Sequence, residues 1–322
     1  FNAERQALAL MTHPNIARIL DAGATADGRP YFVMEYVRGG HPITEYCDAH
    51  RLTLRDRLRL FRAVCRAAHH AHENGVVHRD LKPSNILVTE EDGSPAPKVI
   101  DFGVAKALFE PLTNRALETH AGGVIGTPAY MSPEQRLAGS SLDVRADVYS
   151  LGVVLSELLI GKRVHGEGPD EPRARSASPH GAPVPLSERF RALPDAEAAR
   201  VAGSRQSTRS RLLRHLRGDL DWIAERALEI DPQRRYPSAA ALAHDLDLVL
   251  KQLPVSAAPH GFRYRARKAL KRHKVGVLSA LAAVSLGALV LLEASRLPVL
   301  GPDDSSLAVL PLAILALAAL LP

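Results

Sequence analysis

VVHRDLKPSNILV, residues 76–88, sets a carboxylate at Asp80, an ammonium two residues later at Lys82 and a carboxamide five residues later at Asn85. The apolar flanks, Val76/Val77 and Ile86 to Val88, predict short strands that hold the loop against a core, so the polar groups between them are fixed. A second acid follows sixteen residues after Asn85 in VIDFG, where Asp101 again ends a short apolar run, Val99 and Ile100. Asn85 and Asp101 offer two oxygen ligands to a hard cation such as Mg2+. That leaves Asp80 to accept a proton and Lys82 to neutralise phosphate charge.

An HRD tripeptide with an asparagine five residues beyond its aspartate, then DFG, then GTPAYMSPEQ over 126–135, resembles the eukaryotic-like bacterial serine/threonine protein kinases. Each tripeptide alone is a weak signal; their occurrence in order is specific. The last stretch is similar to the family's substrate-facing loop and APE segment, with Ser132 where the family has alanine. The resemblance implies an α+β, two-lobed kinase-like fold with a mostly helical large lobe and an incomplete small lobe. It implies ATP and Mg2+ as cofactors, and transfer of the γ-phosphate to protein Ser/Thr hydroxyls.

The resemblance also assigns roles residue by residue. Asp80 would orient the substrate hydroxyl and take its proton, with Lys82 and Thr127 beside it, while Asn85 and Asp101 would hold the metal. Met34 would be the gatekeeper, and the main chain of Glu35 and Val37 would meet adenine at a hinge near 35–40, with Leu87 as the floor. Glu4, in the helical pattern of Phe1 to Met11, sits where the family's αC glutamate pairs with a strand lysine; Leu8 would face Phe102. His78 is expected to pack on Phe102, Arg79 to bind a phosphorylated residue, Glu134 to pair with Arg235, and Asp147 to anchor the HRD backbone. Thr113 and Thr119, in a polar run without periodicity from Val104 to Ile125, are candidate phosphorylation sites.

One departure from the family is large. No Gly-rich loop and no strand lysine precede Glu4, so the sequence reads as N-terminally truncated and is expected to bind ATP weakly as it stands. A pseudokinase or membrane-tethered scaffold is the second reading. The complete Asp80/Asn85/Asp101 set opposes it.

With 322 residues and 46% hydrophobic composition, the chain has material for one globular domain plus appendages. Its two cysteines, Cys47 and Cys65, lie in helix-like stretches, which suits a reducing compartment and excludes a disulfide scaffold. The net charge of +6 is local: Phe262 to Lys274 carries seven Lys/Arg and no acid, and removing those seven leaves 34 bases against 35 acids. A general nucleic-acid surface is therefore not expected.

Two β-rich runs, Ile16 to Thr25 and Tyr31 to Val37, meet at Asp27 and Gly28 as a hairpin. Thr53 to Gly75 is the clearest helix, with apolar or small residues at Leu54, Leu58, Phe61, Cys65, Ala68 and His72, Thr53 as N-cap and Gly75 as stop. His69, His70 and His72 have no carboxylate or cysteine cluster around them and read as surface and packing residues, not metal ligands. Val144 to Ile160 is apolar nearly all round and predicts a buried helix ended by Gly161, in which Asp147 needs hydrogen-bond partners. Lys162 to Arg217, rich in Arg, Ala, Pro and Ser and with helix-like pieces near Leu186 to Ala202, is expected to be a loose insertion; Gly218 to Leu253 returns to helical patterning and closes a kinase domain over 1–253.

The tail reads as a basic juxtamembrane segment, 254–274, followed by 18 uncharged residues from Val275 to Leu292. At 1.5 Å per residue these span roughly 27 Å, close to the apolar thickness of a bilayer. The preceding bases predict a single-pass protein of the inner membrane with its kinase domain in the cytoplasm. Leu307 to Leu321, fifteen residues containing Pro311, is a second candidate span within the tail 293–322. The expected partners are protein substrates, the membrane and a second copy of the chain for autophosphorylation.

Overall fold

The computed structural model describes residues 11–27, 30–102, 128–136, 143–162, 183–259, 261, 264, 266, 268, 282, 284–289 and 292. Glu4, Leu8, Thr113, Thr119 and Thr127 lie outside them. The chain divides into two compact units, Phe1–Lys268 and Ala269–Pro322.

Strands β1 (Ile19–Ala24) and β2 (Pro30–Met34) form the expected antiparallel hairpin, with Ile19 opposite Met34 and a register irregularity between Ile19 and Asp21. A second sheet has the order β3-β4-β5, built from β3 (His41–Pro42), β4 (Ile86–Glu91) and β5 (Ser94–Val99). The β4–β5 connection is Asp92-Gly93, both with positive φ, 51° and 71°. Asp-Gly is the dipeptide that supplies such a two-residue hairpin turn. β5 carries Pro95 and Pro97, which its position at the sheet edge tolerates.

Helix α1 (Ile43–Ala49) leads to the long α2 (Leu54–Glu73), whose first turn is capped as predicted: the Thr53 side chain accepts from the Asp56 amide. Its last residue is Glu73, and Gly75 stops it as expected. Asn74 is the C-cap, Gly75 takes φ 75°, and the Val76 amide donates back to Ala71 O at 2.9 Å. This is a Schellman closure, and it overturns the expected strand at Val76/Val77, because the Val76 donor is already used to close the helix.

Helix α3 (Val144–Ile160) is buried along nearly its whole length, is capped by Asp143 and ends at Gly161 with φ 68°. Its Gly152 lies so close to α7 (Asp221–Ala227) that a Cβ there would meet the Ala227 Cβ at 2.9 Å. Backbone proximity between these two helices therefore depends on that glycine.

Over 183–217 the helix-like pieces expected near Leu186 to Ala202 are present, but the region is not loose. It folds into α4 (Leu186–Arg191), α5 (Asp195–Gly203) and α6 (Arg209–His215), and buries Leu186, Phe190, Ala198, Val201, Ala202 and Leu212 in the core. Its basic composition misled because Arg205 is itself buried, donating to Val201 O at 2.9 Å and Leu158 O at 2.7 Å. The remainder of the insertion, 163–182, lies outside the described residues.

Helix α8 (Ala239–Leu250) packs against α2, and the folded unit continues beyond the expected boundary at Leu253. Buried Asp245 accepts from the Tyr236 hydroxyl and from the Ser256 and Ala257 amides, at 2.7, 2.7 and 3.0 Å. Tyr264 then bonds Asp219 at 2.8 Å, stands edge-on to Trp222, and is accompanied by an ion pair between Lys268 and Asp219. The start of the basic segment is thus part of the domain.

In the second unit, positions 282, 284–289 and 292 are helical, and Val284, Leu286, Leu289 and Leu292 are exposed. Among the described residues no helix is long and apolar enough to cross a membrane.

Candidate active site

The catalytic-type loop leaves the Schellman end of α2 and is held from below by Asp147. This carboxylate, 0% exposed in the first turns of α3, accepts the His78 amide at 2.7 Å and the Arg79 amide at 2.8 Å. Its third partner is His72 Nε2 at 2.8 Å, on α2. Burial would raise the Asp147 carboxyl, but the hydrogen bond and charge of His72, with His78, hold it below the usual carboxylate range. His72 thus has a partner that its sequence reading as a packing residue did not specify.

His78 is fully buried; its ring lies 4.7 Å from that of Phe102 and its Nε2 is 2.9 Å from Ile100 O. Burial pushes its imidazole below the ordinary histidine value. This is the structural role expected of it. Arg79 and Asp101 both have left-handed backbones, φ 66° and 56°. Such conformations cost about 1–3 kcal/mol each at non-glycine positions and concentrate at functional sites.

Asp80, Lys82 and Asn85 are brought into one cluster. Lys82 Nζ lies 2.8 Å from Asp80 Oδ2, and Asn85 Nδ2 donates to Asp80 O at 3.0 Å and to Asp80 Oδ2 at 3.4 Å. A single 3-10 turn, Pro83–Asn85, folds the carboxamide back toward the aspartate. Asp101 joins through the β4–β5 ladder: Ile86 is opposite Val99, and the next rung is the Ile100 amide donating to Asn85 O at 3.0 Å. Asn85 and exposed Asp101 therefore emerge at the same end of one hairpin.

The Asn85 NH2 is committed to Asp80 and its Oδ1 faces the Ser84 hydroxyl at 3.5 Å, at the hairpin end from which the exposed Asp101 also emerges. Two hard oxygen donors beside an ammonium-bearing loop fit Mg2+. Among the described residues no group of three or more His, Cys, Asp or Glu forms a metal cluster of another kind.

At the hinge, Val37 is buried, Met34 is 37% exposed, and Leu87 is half-buried on β4. The Glu35 side chain, to which no role is assigned above, pairs with Lys98 Nζ at 2.7 Å and accepts the Arg18 amide at 3.2 Å. No local signal in SPAPKV singles out Lys98; only the sheet register brings it there.

The segment after 127 is tied down as expected. Arg235, 2% exposed, forks onto Glu134 with distances of 2.6 and 2.8 Å. Two further ties were missed from sequence. Gln135 Nε2 donates to Arg79 O at 2.8 Å, and Tyr130 OH donates to Glu157 at 2.6 Å. Both link this segment to the catalytic-type loop and to α3.

A sequence profile described as "Protein kinase domain" matches residues 1–246, and the chain belongs to that family. Curated relatives of the chain include bacterial serine/threonine kinases. It is 36% identical over 255 residues to serine/threonine-protein kinase Pkn1 of Myxococcus xanthus, covering 78% of this chain and 32% of the relative. It is 36% identical over 252 residues to serine/threonine-protein kinase PknB of Mycobacterium tuberculosis, covering 76% and 35%. The chain spans about a third of the length of these relatives. The crystal structure of the Mycobacterium tuberculosis PknI kinase domain matches with a TM-score of 0.50 at 24% identity, over 77% of this chain and 78% of that one. At that identity the likeness is one of fold.

Proposed function

We propose that this protein is a serine/threonine protein kinase that transfers the γ-phosphate of ATP to protein hydroxyls. The observation that carries the reading is the Asp80–Lys82–Asn85 cluster with Asp101 at the same hairpin end. Asp80 Oδ accepts the proton of the acceptor hydroxyl as the oxygen forms its bond to phosphorus and the bond to the β-phosphate oxygen breaks, releasing ADP. Lys82, already 2.8 Å from Asp80, neutralises charge on the transferring group. Asn85 and Asp101 would hold Mg2+, whose chemistry is to draw charge from the phosphate oxygens. Met34, Leu87 and the main chain of Glu35 and Val37 would enclose adenine. Glu4, Thr127, Thr113 and Thr119 keep the roles that the family resemblance gives them, and Arg79 would face a phosphate on the activation segment.

The test is phosphate incorporation by the intact protein with Asp80→Asn. Activity is expected to fall about 10²–10⁴-fold, the contribution of a positioned general base. Unchanged incorporation overturns the reading.

Attachment to a membrane through 275–292 is supported by 18 uncharged residues after seven bases, and by the exposed apolar side chains of Val284, Leu286, Leu289 and Leu292. The protein is expected in the inner-membrane fraction after carbonate washing, with the kinase domain on the cytoplasmic side. Its recovery in the wash would refute this.

A further inference from the structure

We propose that Lys98 is a positioning residue for the nucleotide, fixing through its ion pair with Glu35 the spacing between the hinge backbone and Leu87. The inference rests on the kinase reading and adds a residue to it. In the β4–β5 ladder Lys98 is directly opposite Leu87, and residues directly opposite in an antiparallel pair present their side chains to the same face. The expected adenine floor and the ammonium therefore share one face of the hairpin. From there Lys98, with 13% of its side chain exposed, reaches Glu35 at 2.7 Å and Glu91 at 3.5 Å.

Glu35 is fastened on its other side as well. Its amide donates to Arg18 O at 2.8 Å, while its carboxylate takes the Arg18 amide. The same short segment is stitched to β5, with Ala17 N donating to Val99 O at 3.0 Å and Val99 N to Asn15 O at 2.9 Å. Lys98 is thus the cation at a junction of the small-lobe segment, the hinge and the hairpin. Its hydrogen bond, helped by the Arg18 amide and by its charge, holds the Glu35 carboxyl below the usual range.

Downstream the hinge is pinned to the same hairpin by contact. Thr89 Oγ1 donates to Arg38 O at 3.0 Å, and a Cβ at Gly40 would lie 2.8 Å from Val37 Cγ1 and 3.2 Å from Leu87 Cβ. The end next to Met34 is tied to the hairpin by main-chain bonds through Arg18 and Ala17 and by this side-chain charge pair, which alone joins Glu35 directly to the strand opposite Leu87. Loss of that pair loosens the spacing between Glu35 and Leu87 while the Asp80 cluster keeps its own hydrogen bonds.

Steady-state kinetics of the intact protein with ATP and a serine-bearing peptide test this. Lys98→Met is expected to raise the KM for ATP about tenfold, as for a charge-assisted hydrogen bond of ~1.4 kcal/mol, with kcat and the peptide KM little changed. Lys98→Arg, which keeps the charge, restores most of the ATP KM. An unchanged ATP KM, or a joint shift of kcat and both KM values, overturns the role. Should Lys98→Met fail to fold, the exchange E35K/K98E decides: an ATP KM nearer to wild type than that of Glu35→Lys alone supports the pair, and no recovery overturns it. Wild-type protein without ATP-dependent activity would instead overturn the kinase reading.

Discussion

The Asp147 carboxylate accepts the His78 amide at 2.7 Å from a site with no exposure to solvent, so a helix in the centre of the large lobe holds the backbone of the loop that carries Asp80. An anion in that position is tolerable because three donors converge on it. The relationship makes α3 the reference frame for the chemistry.

Asp147→Ala leaves the His78 and Arg79 amides and His72 Nε2 without this acceptor. At about 1–3 kcal/mol for each buried donor left unpaired, a loss of roughly 3 kcal/mol or more is expected, together with a large loss of activity. Urea unfolding and phosphate incorporation check both outcomes.

Arg235→Ala removes a buried guanidinium that holds Glu134 and three carbonyls, those of Glu229, Arg145 and Ile230. Breaking one partner of such a pair costs about 3–5 kcal/mol. Thermal melting of the variant should therefore show a markedly lower midpoint, and a midpoint equal to wild type would show that the pair contributes nothing.

Glu225 is pushed up to about 7 by burial first, and then by the negative charge of Asp221, Glu188 and Glu229. A carboxyl whose folded pKa lies above its unfolded one contributes stability that is complete below about pH 4.3 and is lost as pH rises through the folded value. Glu225→Gln removes that dependence. Its melting midpoint should exceed that of wild type by more at pH 8 than at pH 5; an equal difference at both would contradict the assignment.

A chain ending at Leu253 strips from Asp245 the amides of Ser256 and Ala257, and from the core the side chains of Val255 and Ala258. A chain ending at Lys268 keeps them along with the Tyr264–Asp219 bond. The shorter protein is expected to melt several degrees lower, or to unfold without a cooperative transition, since ~1 kcal/mol is already worth a few degrees in a domain of this size. Equal melting would place the domain boundary at Leu253 after all.

Short-range chemistry was legible in the letters. Thr53 before an amphipathic run and Gly161 after an apolar one fixed both long helices nearly to the residue, because caps and breakers act within one turn. The Asp80/Asn85 relation is also local, set by a five-residue turn, and the Glu134–Arg235 and His78–Phe102 pairs followed from the family resemblance. What tertiary structure alone decided lies at long sequence separation: Lys98 on Glu35, His72 on Asp147, Gln135 on Arg79, and Tyr264 on Asp219. It also decided that the helix-like pieces of the Arg-rich stretch after 182 pack into the core instead of lying loose. A charged side chain announces its charge in sequence but not its partner, and the partner is supplied by sheet register and helix packing, which no local pattern encodes.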